Sequence, residues 1–177
     1  TMHAGAMQPR QSADIAFFVS GAIGSIGTAT KGAAVFGGDT FVSGALTVNN
    51  QTIFNGGIHE NFETKVGASA ASGFTTHDCS TGYIFFHSGA ASDFGANFTN
   101  LNLSTAYATN LTLLVTQSTV PYIAAGVQID GADQTIMWQG GSTPSGTSNG
   151  QDVISFSILN NSGSFVVLGQ LVGFAPA

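Results

Sequence analysis

The sequence predicts an all-β protein: a short glycine-rich shaft segment, intertwined or otherwise β-rich, followed by a C-terminal β-sandwich of jelly-roll type. Three observations lead there. Segments rich in Val, Ile, Phe and Thr recur at short intervals between Gly, Asn, Asp and Ser turn signals. No amphipathic helical period persists for any length. Only 7% of the 177 residues are charged, against about a quarter in ordinary soluble proteins, while apolar content stays at 43%. Ser, Thr and Asn replace the charges, which suits β proteins that bury surface between subunits. Normal apolar content with little charge is the opposite of the composition of disordered chains.

Taken in order, residues 1–14 carry Gly, Pro and Gln without a period and read as a linker or an expression remnant. Residues 15–61 form the shaft or neck. Within them, Ser20–Ile58 alternates short apolar groups with glycines, each marking a turn or a close chain crossing. Those groups are too short to bury themselves within one chain. Phe36, Phe41, Leu46, Val48 and Phe54 are therefore expected to pack between copies, in a homotrimer. Gly21, Gly24 and Gly27 fall at a period of three, but without proline they do not make collagen. Asn55-Gly56 is a hairpin signal.

Around His59–Val66 the acids and Lys65 draw together, consistent with a single helical turn and a domain boundary. Residues 62–177 then read as strands: Phe74–His77, Tyr83–His87, Asn97–Leu103, Leu111–Thr116, Tyr122–Ile129, Gln134–Trp138, Val153–Leu159 and Phe165–Phe174. Ser80-Thr81-Gly82, Ser88-Gly89, Asp130-Gly131, Gly140–Gln151 and Asn160–Gly163 separate them. About 110 residues is an ordinary size for a β-sandwich.

Charge excludes several function classes. Net charge is −6, and no Lys or Arg follows Lys65. A nucleic-acid binder needs clustered cations, so that partner is ruled out, as is docking on anionic lipid. No apolar run approaches a membrane span, and Ile15–Val19 is too short for a signal-peptide core, so no membrane insertion is expected. Cys79 is the only cysteine, which removes intrachain disulfides and Cys-based zinc clusters.

Catalytic patterns are thin. No Gly-x-Ser-x-Gly elbow occurs, and the available bases are His59, His77 and His87. Glycoside cleavage needs two carboxylates across a cleft; Asp78, Asp93, Asp130, Asp133 and Asp152 are on offer, most of them turn formers. His77-Asp78-Cys79 with His87 is the tightest set of metal-ligand types, with the two histidines facing each other if their strands pair as a hairpin. A lone strand histidine is more often a core residue, so no metal or cofactor is expected and the chain reads as no enzyme. Trp138 can stack on a sugar face or plug the core or a subunit interface; the preceding Ile136-Met137 favours the latter. Receptor contact, where it exists, falls to end loops. Trp138, Gln139, Ser142, Thr143, Ser145, Thr147 and Asn149 are its candidate residues.

The stretch Gly27–Asp39 followed by Val42-Ser43-Gly44-Ala45-Leu46 resembles a segment of structural and tail-fibre proteins of marine tailed bacteriophages, including those of cyanobacteria. His77-Asp78-Cys79, Trp138–Ser142 with Pro144-Ser145-Gly146, Asp152–Phe156 and Val167–Gln170 look like landmarks of the terminal domain of such proteins. The resemblance implies a virion appendage, homotrimeric, joined to other virion or tail proteins through its N-terminal side, with a tip that contacts a host-surface glycan. It assigns no catalytic or binding residue. Two alternatives stay open: a polysaccharide depolymerase with an intersubunit carboxylate site, and an architectural or capsid-decorating fibre that binds no receptor.

Overall fold

The computed structural model describes residues 56–67 and 73–176, together with Thr40, Val42, Leu46, Val48 and Thr52. The chain divides into two units between Ile53 and Phe54. Leu46 and Val48 are exposed in the first unit. Phe36, Phe41, Phe54 and the Asn55-Gly56 turn signal lie wholly or partly outside the described residues, as does most of the expected shaft.

The second unit is all-β, with no helix among the described residues, and consists of two mixed sheets. The larger, sheet A, carries β1 (Phe62–Val66), β3 (Ile84–Ser88), β5 (Ala108–Thr116), β9 (Gln151–Asn161), β10 (Ser164–Phe174) and β8 (Ile136–Trp138), in that spatial order. The smaller, sheet B, carries β2 (Phe74–Asp78), β4 (Phe94–Thr99), β6 (Ala124–Ile129) and β7 (Ala132–Gln134).

From β1 to β6 the chain alternates between the sheets, so neighbours within a sheet run parallel: β1 with β3, β3 with β5, β2 with β4, and β4 with β6. Parallel strands need a long crossover, commonly a helix. Here a strand of the opposite sheet supplies it. Antiparallel pairing enters only where β6 turns into β7 and where β9 joins β5 and β10. Jelly rolls are antiparallel, so the likeness to that fold extends only to two sheets around one core.

The core follows from period-2 alternation. Leu111, Leu113 and Val115 of β5 and Ile154, Phe156 and Ile158 of β9 are fully buried, while their neighbours point outward. Phe98 of β4 bridges the layers, its ring 6.2 Å from Phe85 and 5.8 Å from Phe156. Burying each such ring stabilises by about 1.5–3 kcal/mol.

Several strand expectations are corrected. The proposed helical turn near His59–Val66 is strand β1, because Phe62, Thr64 and Val66 alternate with Glu63 and Lys65. Those two charges point inward from an edge strand, a device that blocks edge-to-edge pairing. The strand placed at Asn97–Leu103 begins earlier, at Phe94, and ends at Thr99. Asn100 and Asn102 take left-handed φ values of 55° and 47°, which break the run although Leu101 is buried. Gln134–Trp138 is not one strand; the chain leaves sheet B after Gln134 and enters sheet A at Ile136.

Candidate functional site

Two polar groupings stand out in a chain so poor in charge: a sealed histidine pair, and a clamped loop cluster at one end of the sheets.

The histidines come from different sheets. His77 lies on β2 and His87 on β3, both with no exposed surface, and their Nε2 atoms are 2.7 Å apart. They do meet, as the sequence allowed, but across the two layers and not within a hairpin. One Nε2–H must donate to the other nitrogen, so the rings hold opposite tautomers. Phe94 stacks on His87 at 4.9 Å, and Phe85 meets His77 edge-on at 4.8 Å. Neither Nδ1 makes a hydrogen bond of ordinary geometry, and for His77 the Thr75 carbonyl is only a minor electrostatic partner.

Burial is the main cause that lowers the His77 pKa to about 3, with His87 and then Lys65 adding and the Thr75 carbonyl opposing. Burial likewise lowers His87 to about 4, with Lys65 adding and Glu63 opposing. Lys65 is the register partner of His87 and pairs with Glu63, whose second carboxylate oxygen is buried without a partner. A neutral, fully covered pair touches nothing from solvent. Its chemistry is internal.

The rest of the His77-Asp78-Cys79 landmark separates by alternation. The Asp78 carboxylate points outward and accepts from the Asn100 side chain and from the Ser80 hydroxyl and backbone N–H. These bonds, that of Asn100 foremost, lower its pKa. The Cys79 thiol is buried and pushed up to about 12, by burial first and then by Asp78 and Asp130. Among the described residues no group of three or more His, Cys, Asp or Glu is placed to share a metal ion.

The loop cluster is built on Asp152. This residue is the second of β9, is fully buried, and accepts from Gln117 Nε2 at 2.7 Å and from the Thr147 N–H at 3.0 Å. Gln117 also holds the Tyr122 backbone at both ends, donating to its carbonyl and accepting from its N–H. Asn149 N–H donates to the Ser118 carbonyl, and Gln117 N–H to the Gly150 carbonyl. The 139–150 loop is thus fastened to the 117–123 loop. Sequence reasoning missed Gln117; its one signal is a polar residue continuing the inward parity of Leu113 and Val115.

No family model, no curated protein and no solved structure matches the chain. The site is therefore read from its own geometry.

Of the candidate receptor residues, Gln139, Ser142, Thr143, Ser145 and Asn149 are exposed on the loop. Thr147 is half-buried against Gly173 and holds Asp152. Trp138 faces inward: its ring lies over Gly169 and 5.8 Å from Phe156. The glycine is required there, since a Cβ would sit 2.7 Å from Trp138 Cε3. On the opposite side of β8 and β10, Met137, Leu168, Ser155, Ser157, Gln139 and Gln170 line an open depression of about 430 Å³. It holds no charged side chain. Asp130 takes a left-handed φ of 48° in the tight turn before Gly131, and its carboxylate accepts from the Asn100 N–H. Asp130 and Asp152 thus both hold loops in place.

Proposed function

We propose that this chain is a non-enzymatic structural subunit of a tailed-phage virion appendage, a tail fibre or similar, acting as a homotrimer. Residues 62–177 form its tip, of the sandwich type, and residues 15–61 its shaft. Other virion proteins hold the N-terminal side. The tip contacts a host-surface glycan through the exposed part of the 139–150 loop.

The observation that carries this reading is the clamp. A loop of hydroxyls and amides, without a single charge between Gln139 and Gly150, is fixed to a rigid two-sheet scaffold through Asp152 and Gln117. Preorganised neutral donors and acceptors suit a neutral carbohydrate and lower the ordering cost of binding. The resemblance of Gly27–Leu46 to phage shaft segments supplies the setting.

The test is competition. Purified protein should bind host cells and block phage adsorption, and Ser142→Asp with Ser145→Asp should abolish both. Failure of the native protein to bind would leave no receptor role. Release of reducing ends from host glycan, lost in Asp130→Asn or Asp152→Asn, would replace the adhesin by a depolymerase.

A further inference from the structure

The two outer faces of the second unit differ in kind. On sheet B, register places Thr76, Asn97, Gln128 and Asp133 in one row across all four strands, each of them polar. Gln128 donates to Asp133 within that row. On sheet A the corresponding row reads Thr64, Phe86, Leu114, Val153 and Val172 across five strands. Phe62 and Val66 flank it on β1, and Leu168 and Met137 lie beyond it on β10 and β8. Val66 is 79% exposed, Phe62 63%, Met137 52%, and Leu168 and Val172 43% each.

No Asp, Glu, Lys, Arg or His points outward from sheet A; the two charges on its strand β1, Glu63 and Lys65, and His87 and Asp152 all face inward. A face of this kind meets a second copy without desolvating or opposing any charge, although each chain carries −6. Six strands at ~4.8 Å spacing and strands averaging ~20 Å cover roughly 600 Å² in projection, close to the ~800 Å² each partner contributes to a standard stable interface. Thr112, Ser155, Ser157 and Gln170 share this face, so its apolar part is the continuous row with Phe62, Val66, Leu168 and Met137 beside it, and a contiguous exposed apolar strip of that kind marks an interaction site.

We infer that the outer face of sheet A is where copies of this chain pack on one another, leaving the polar face of sheet B to solvent. This rests on the homotrimeric appendage reading and gives it a location in the tip, apart from the shaft. The depression lined by Leu168 and Met137 belongs to this face and is covered in the oligomer, which leaves the exposed 139–150 loop as the glycan contact.

Light scattering of the full chain should give a multiple of the protomer mass, and Leu168→Glu with Val172→Glu should make that oligomer dissociate at a protein concentration at least tenfold higher, with unchanged far-UV dichroism. Thr76→Glu, on sheet B, should leave the mass unchanged. A monomeric native protein, or an oligomer whose dissociation the two charges leave unchanged, overturns the inference. Should the charged variant fail to fold, Leu168→Cys and Thr76→Cys replace it. Alkylation of Cys at 168 should run at least tenfold slower than at 76 in the oligomer. Equal rates refute the buried face, and slow alkylation in a monomer places residues 1–55 of the same chain there instead. None of these outcomes bears on virion location, which labelling of virions tests separately.

Discussion

The sealed histidine pair makes the unit sensitive to acid in a definite window. An unfolded imidazole titrates near 6.5, whereas the folded rings are lowered to about 3 and about 4. Between those limits the unfolded chain binds protons that the folded chain refuses, so stability falls as pH falls. Stability is complete above ~6.5, is lost on the way down, and loses nothing further from this pair below ~3. Each ring contributes about 2 kcal/mol between pH 7 and pH 5, or about 4 kcal/mol together. That is a large part of the 5–15 kcal/mol that typical domains possess. The lowered Asp78 carboxyl acts only below about pH 4, outside this interval. Urea unfolding at pH 7, 6 and 5 measures the effect. His77→Leu with His87→Phe removes both titrations and both poorly bonded Nδ1 atoms together, so that variant should be no less stable at pH 7 and should lose most of the slope. An unchanged midpoint in the native protein from pH 7 to 5, or the same slope in the double variant, would refute the reasoning.

Three further outcomes follow from packing. Gly169→Ala drives a methyl into Trp138 and Ile136 and should cost about 1–3 kcal/mol in denaturant unfolding; a neutral result would show that Trp138 does not lie over that glycine. Asp152→Ala strips the acceptor from Gln117 and Thr147, each worth about 1–3 kcal/mol when left unpaired, and should open the 139–150 loop to limited proteolysis. Resistance equal to that of the native protein would argue against the clamp. Gly131→Ala forces a side chain into φ 82° and should cost about 1 kcal/mol by thermal melting, with no loss of cell binding.

Much of the second unit was legible because alternation is local. β5, β9 and β10 show it over long runs, and each shifts by only a few residues from expectation. Pairing is not local. Ser80-Thr81-Gly82 and Ser88-Gly89 are short enough for hairpins, yet each carries the chain to the opposite sheet, and nothing in alternation distinguishes the two outcomes. β1 escaped notice because Glu63 and Lys65 are charges on the inward side, where apolar residues are the usual strand signal. At the site, the meeting of His77 and His87 was visible as a possibility from residue type and spacing, although the route to it was wrong. The Asp152–Gln117 clamp spans 35 residues and could not be read from either end alone.

The central claim is that this chain is built into a virion. Gold-labelled antibody against residues 62–177, applied to purified virions of a marine tailed phage that encodes the chain, tests it most directly. Label on a tail-borne appendage, with the chain present in the virion proteome, is the expected result. Its absence from virions, with the protein found only in infected-cell lysate, would contradict the account.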